Sequence, residues 1–99
     1  MSPGEIKRIR SDLGLNQKEF GQLLDVSRPT VQRWETGKTS PGQMKVNIMR
    51  QLHKKAKEKG RSMDWIETLL FLAGAGAFGV LLGKIFDDMN SDDEVDPDA

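Results

Sequence analysis

The side chains best suited to chemistry in this sequence are polar donors and cations grouped between residues 27 and 38. Arg28, Gln32 and Arg33 follow one another at spacings that put them on the outward side of a helix. Their end groups are planar and form paired hydrogen bonds. Arginine can donate two to the O6 and N7 of guanine, and glutamine can pair with the N6 and N7 of adenine.

Catalytic and metal chemistry are disfavoured by the residue types present. The chain has one histidine, His53, no cysteine, and scattered carboxylates that form no recognisable constellation. Without cysteine there are no disulfides, thiolate nucleophiles or cysteine-type zinc sites. We therefore expect no enzyme activity, no metal and no cofactor.

The charge is divided between two halves of opposite sign. Residues 1–61 hold fourteen Lys and Arg against six Asp and Glu, an excess of eight positive charges. Residues 62–99 hold one Lys against nine Asp and Glu, an excess of eight negative charges. The zero net charge of the whole chain therefore conceals a basic half suited to a nucleic-acid partner.

The polar group between residues 27 and 38 is positioned by two short predicted helices with a tight turn between them. Asn16 caps the first helix, and Glu19 completes a capping box. Ser27 caps the second, and Gly37 supplies its left-handed stop. Two helices this close form a helix-turn-helix. Their inward apolar positions are Phe20, Leu23, Leu24, Val31 and Trp34.

Two further helices flank this pair, so the predicted fold class is all-α. The first begins at Ser2-Pro3 and ends at Gly14, and the last runs from Pro41 to about Lys59 and stops at Gly60. The rest of the predicted core comprises Ile6, Ile9, Leu13, Leu15, Val26, Met44, Ile48 and Leu52.

Together these residues resemble the lambda-repressor-like (Xre/Cro) helix-turn-helix family over roughly residues 4–55. That family usually has five helices, whereas only four can be placed before Gly60. The resemblance is carried by Leu15-Asn16-Gln17, Phe20, Leu24, Val26-Ser27, Thr30-Val31 and Trp34-Glu35-Thr36-Gly37-Lys38.

The resemblance implies double-stranded DNA as the partner, with the second helix in the major groove. It implies base contacts from Arg28, Pro29, Gln32 and Arg33. It implies phosphate contacts from Asn16, Gln17, Ser27, Thr36 and Lys38. It also implies that Arg10 and Glu35 form a structural pair. Pro29 departs from the family pattern because its side chain cannot hydrogen-bond, but it can pack on a thymine methyl.

The second half contains a long apolar run. Residues 68–83 carry no charge, and only Lys84 is charged between Thr68 and Phe86. About 20 apolar residues suffice to cross a bilayer, so we predict one long apolar transmembrane helix over residues 65–86. The lysines before it place the N-terminal domain in the cytoplasm. The alternative is a soluble helical hairpin or an oligomer core.

Small residues recur every fourth position in this run, at Ala75, Gly79 and Gly83. Such a seam lets two helices approach closely, so we predict a homodimer through this segment. The predicted organisation is a helix-turn-helix domain at 1–60, a hinge at 61–64, the apolar helix at 65–86 and an acidic disordered tail at 87–99.

The function predicted is a sequence-specific DNA-binding transcriptional regulator, tethered to membrane lipid at the cytoplasmic membrane and binding as a dimer. One alternative is a cytoplasmic, phage-type or antitoxin-like repressor whose apolar segment mediates oligomerisation or partner binding. Another is a small membrane protein whose N-terminal domain serves for protein interaction.

Overall fold

The computed structural model describes residues 1–59 and 63–85. Within those ranges the chain forms six α-helices and the turns between them. Their bounds are α1 Pro3–Leu13, α2 Gln17–Leu24, α3 Arg28–Glu35, α4 Gln43–Lys59, α5 Met63–Gly74 and α6 Phe78–Ile85. The predicted acidic tail at 87–99 lies outside the described residues. So do the predicted helix stop at Gly60, residues 61 and 62 of the predicted hinge, and Phe86 at the end of the predicted apolar helix.

Local capping signals set the ends of the first three helices. Ser2 and Asn16 each accept a hydrogen bond from the amide three residues on, and each forms a full capping box. Ser27 caps α3 through the amide of Thr30. Because each cap satisfies an otherwise unpaired amide, these helices begin where the sequence predicts.

The core lies where α1 to α4 converge, and most of its predicted members are buried. The register of α4 differs from the prediction at its first turn. Met44 is 57% exposed, whereas Val46 and Met49 are buried. The prediction of Met44 as a core residue is therefore wrong, whereas Ile48 and Leu52 are buried as predicted, and the buried face of α4 begins at Val46.

The predicted single long apolar helix is wrong. The run is divided at residues 75–77, where Gly76 has a φ of +79°, a left-handed conformation that favours glycine. Backbone amides in this turn donate back to Phe71, Leu72 and Ala73 and close the end of α5. No helix within residues 1–59 and 63–85 combines the length and the apolar character needed to cross a membrane.

The α5–α6 hairpin instead packs onto the helix-turn-helix. Ile66, Leu69, Leu81 and Ile85 are buried in the same cluster as the core of α1 to α4. Helix α5 contacts α2, and α6 contacts α4. The ammonium of Lys45 lies 5.2 Å from the centre of the Phe78 ring, a further α4–α6 contact. Four helices therefore precede Gly60, and α5, which follows it, supplies a fifth helix to the same core.

The split also changes the predicted small-residue seam. Ala75 lies in the turn, whereas Gly79 and Gly83 lie on α6, so the three do not share one continuous helix. All three are exposed. A Cβ atom built on Gly79 or Gly83 would meet no heavy atom within 4 Å. Both glycines therefore border open space in this chain.

Candidate nucleic-acid interface

Helix α3 presents one polar face to solvent and anchors the opposite face in the core. Val31, Trp34 and Glu35 are buried, which fixes the rotation of the helix about its axis. Four side chains are left exposed on the outer face, and these are the residues predicted to contact bases. They are Arg28, Pro29, Gln32 and Arg33.

The two ends of α3 carry the candidate phosphate contacts, and some of those side chains are already engaged. Ser27 caps the helix at its N-terminus. At the C-terminus the Thr36 hydroxyl donates to the carbonyl oxygen of Gln32 over 3.0 Å. Lys38 is exposed just beyond it. The hydroxyls therefore shape the helix ends, while Lys38 supplies an exposed positive charge.

A shallow pocket of about 490 Å³ joins the start of α2 to the start of α3. It brings Asn16 and Gln17, predicted to contact phosphate, together with Arg28, predicted to contact bases. It also contains two further cations, Arg10 and Lys18. The first-turn amides of a helix and nearby cations together favour an anion, so this pocket is suited to a phosphate group.

Lys18 is the residue of this pocket that sequence reasoning missed. It is exposed in the first turn of α2, directly after Gln17. A cation beside two predicted phosphate contacts was a signal present in the sequence. Its relation to Arg28 depends on the angle between α2 and α3, which only the structure gives.

A hydrogen-bonded network behind the face holds α1, α2 and α3 together. Arg10 donates to both carboxylate oxygens of Glu35, through Nε at 2.7 Å and Nη2 at 3.0 Å. Gln17 Nε2 donates to the same carboxylate at 3.1 Å, and Arg10 Nη1 donates to the carbonyl oxygen of Leu15 at 3.1 Å. Gln17 is thus tied to the network as well as to the pocket, a link that its position in sequence does not reveal.

The network also sets the charge state of Glu35. Burial alone would raise the pKa of this carboxyl, but the hydrogen bonds from Arg10 and then Gln17 outweigh it and lower the pKa below its usual value. The same hydrogen bond raises the pKa of Arg10. The pair is therefore ionised at neutral pH and joins α1 to α3, while the hydrogen bond from Gln17 joins α2 to the same carboxylate. The network thus holds the helices around the shallow pocket, called the anion pocket below.

The turn between α2 and α3 depends on a close backbone approach. A Cβ atom on Gly21 would lie 2.7 Å from the carbonyl oxygen of Val26, closer than real Cβ contacts. The amide of Val26 donates to the carbonyl oxygen of Gly21 over 2.9 Å. Asp25 between them has a φ of +58°. Gly21 is therefore required for the angle at which α3 leaves α2, and it was missed because nothing local marks it.

Comparisons with known proteins find matches confined to this part of the chain. Residues 6–49 match the family model described as Helix-turn-helix. A 39-residue segment is 49% identical to the type II methyltransferase M.MspI of Moraxella sp, covering 39% of this chain and 9% of that protein. That similarity covers only the helix-turn-helix region, so the chain corresponds to a small fraction of the methyltransferase. No solved structure matches the chain.

Proposed function

Because residues 6–49 match the helix-turn-helix family model, we propose that this chain is a sequence-specific, DNA-binding transcriptional regulator that acts as a dimer. The observation that carries the proposal is the outer face of α3, where four exposed side chains stand on a helix fixed by its buried side. A regulator of this kind works where the DNA is, in the cytoplasm.

The proposed contacts with DNA bases follow from which side chains of α3 are exposed. With the N-terminal part of α3 in the major groove, Arg28 and Arg33 donate paired hydrogen bonds to guanine, and Gln32 pairs with adenine. Pro29 packs on a thymine methyl. The anion pocket at the start of α2 holds the backbone phosphate that sets the register.

The proposed dimer uses the outer surface of the α5–α6 hairpin. Phe71 on α5 is 73% exposed and Val80 on α6 is 56% exposed, so each helix of the hairpin offers one large apolar side chain to a partner. Gly79 and Gly83 on α6 border open space. A second copy covering this surface would hold two helix-turn-helix units together, and such dimers bind DNA half-sites about one helical turn apart.

Selection of bound sequences from random DNA with the full chain tests the proposal. The expected result is enrichment of one short motif, present twice in the bound fragments. Absence of any enrichment over random DNA overturns sequence-specific binding and leaves the interaction-module alternative, in which the N-terminal domain binds protein.

Variants then separate base reading from phosphate contact on the selected motif. Arg28→Ala and Arg33→Ala should each weaken binding by about 1–3 kcal/mol and relax the preference at one base pair. Lys38→Ala should weaken all sequences alike and lower the slope of affinity against salt by about 1. Lys57→Ala, on the exposed side of α4, is the matched control and should change specificity at no position.

A further inference from the structure

A basic groove of about 540 Å³ lies between α1 and α4, and we call it the α1–α4 groove. It is separate from the exposed face of α3, because none of the residues predicted to contact DNA lines it. Four exposed cations line it, Arg8 on α1 and Arg50, Lys54 and Lys57 on α4. The groove therefore presents positive charge that the proposed contacts with DNA do not use.

The two carboxylates of the groove are already engaged. Glu5 accepts a hydrogen bond from the N-cap amide of α1 at 2.8 Å. A carboxylate oxygen of Asp12 lies 2.8 Å from Nε2 of His53. None of the four cations forms a salt bridge with another residue in the described part of the chain. Four cations against two engaged carboxylates leave an excess of two positive charges for an anionic partner.

The direction of α6 places its last residue near this groove. The Lys45 ammonium, near the start of α4, lies over the Phe78 ring at the start of α6. Lys84, near the end of α6, borders the same pocket as Lys55 in the second half of α4. Helix α6 therefore follows α4 from its first turns toward its last. Ile85 ends α6 beside the second half of α4, which carries two of the groove cations.

The sequence that follows α6 carries charge of the opposite sign. Residues 87–99 contain seven Asp and Glu and no Lys or Arg, and three of the acids are consecutive, Asp92, Asp93 and Glu94. Six extended residues, such as 86–91, span up to about 20 Å. This exceeds the diameter of a helix, about 10–12 Å. The chain can therefore pass over α4 and bring residues 92–98 to the groove.

We propose that residues 92–98 dock in the α1–α4 groove of the same chain. Exposed ion pairs are individually weak, but several pairs on a tethered segment benefit from an effective concentration on the order of millimolar. The contact is therefore reversible and sensitive to salt. It neutralises the groove, and so it keeps the DNA backbone from a second basic surface that reads no sequence. This consequence rests on the proposed DNA-binding function, whereas docking itself does not.

Docking is tested on the full chain with a spin label. The chain has no cysteine, so Val95→Cys provides a single attachment point for a nitroxide. At low ionic strength the label should broaden the amide NMR signals of Arg8 and Lys54 more than those of Gln32 and Arg33 on α3. At about 1 M salt, where the Debye length is about 3 Å, the broadening should disappear. Absence of selective broadening at the groove, or broadening that salt does not change, overturns the proposal.

Charge variants of the spin-labelled chain identify the two sides of the contact. The acidic-segment variant carries three neutral replacements, Asp92→Asn, Asp93→Asn and Glu94→Gln. The groove variant combines Arg50→Gln with Lys54→Gln. Each variant should lose most of the broadening at Arg8. Lys7→Gln is the matched control, because Lys7 is an exposed lysine of α1 outside the groove, and it should keep the broadening. Broadening in the groove variant equal to that of the control overturns the proposed location.

A second copy of the chain is the competing source of the acidic segment. Spin-labelled chain without the NMR isotope is mixed with isotope-enriched chain without the spin label. Docking within one chain predicts no broadening in this mixture. Broadening of the groove signals in the mixture would show that the segment reaches a second copy, and it overturns docking within one chain.

The consequence for DNA is tested on random-sequence DNA without the spin label. The acidic-segment variant frees the groove, so its slope of affinity against salt should be steeper by at least about 1, since each further phosphate contact adds about 0.9. Adding the groove variant should reverse this gain. If the spin label reports docking but no DNA binds, the proposed function fails while the docking stands. If DNA binds and the slope is unchanged, the proposed consequence of docking is overturned.

Discussion

Replacing Glu35 by alanine would remove the carboxylate at the centre of the hydrogen-bonded network behind the exposed face of α3. Glu35 is 4% exposed and accepts three hydrogen bonds, two from Arg10 and one from Gln17. Removing one partner of a buried ion pair destabilises a protein by about 3–5 kcal/mol, because the other charge is left without compensation. The Arg10 side chain is 23% exposed, so water reaches it in part. We therefore expect the lower end, about 3 kcal/mol.

The measurement is thermal unfolding followed by circular dichroism. A loss of about 3 kcal/mol lowers the melting temperature of a domain this size by about 12–24 °C, since each kcal/mol corresponds to about 4–8 °C. Glu58→Ala is the matched control, because Glu58 is an exposed helical glutamate on α4. A melting temperature for Glu35→Ala equal to that of the control would refute the reasoning.

A double-mutant cycle isolates the pair itself. Arg10→Ala and Glu35→Ala should each destabilise the chain, and the double variant should lose less than the sum of the two. The difference measures the coupling, and contacting pairs in a shared network give about 0.5–3 kcal/mol. Additive losses would show that the two residues act on the fold independently.

Three other outcomes are expected. The pKa of Glu35 is lowered in the folded chain, so the ionised carboxylate stabilises the fold fully above the ordinary glutamate pKa of about 4.3. This contribution is lost as the pH falls through the lower pKa of the folded state. The urea midpoint should therefore fall less between pH 5 and pH 3 for Glu35→Gln than for the wild type. Gly21→Ala should destabilise the chain by about 1–3 kcal/mol in urea unfolding, because the Cβ of the alanine would meet the Val26 carbonyl oxygen. Stability equal to that of the wild type would show that the turn between α2 and α3 can shift at no cost. Phe71→Ser and Gly79→Ile should weaken binding to paired half-sites but not to a single half-site, and an unchanged affinity ratio between the two DNAs would place the dimer contact elsewhere.

The sequence predicts those features that depend on local chemistry. Serine and asparagine caps fix the starts of α1, α2 and α3, because each is decided by a side chain and an amide three residues apart. The outward side of α3 follows equally, because Val31 and Trp34 must face the core. These signals operate within one turn of helix, and so they are readable without knowledge of the rest of the chain.

Features set by contacts between distant segments could not be predicted. The apolar run meets the length requirement for a membrane helix. Whether it forms such a helix or a packed hairpin depends on whether α2 and α4 offer a surface that Ile66 and Leu81 can cover. The sequence shows the glycines of the run but not which one takes the left-handed conformation. Similarly, the clash that makes Gly21 necessary involves a carbonyl oxygen in the next turn, and its position depends on the finished fold.

The shared core has a consequence for how the chain is made. The helix-turn-helix segment ends at residue 49 by its family match, yet its core is completed by Ile66, Leu69, Leu81 and Ile85. Each such side chain contributes about 1.5–3 kcal/mol when buried, a large share of the stability of a small domain. During synthesis at ~5–20 residues per second, the hairpin leaves the ribosome seconds after α4. The helix-turn-helix segment of the nascent chain therefore stays incompletely packed, with the apolar sides of α2 and α4 uncovered, until α5 and α6 emerge.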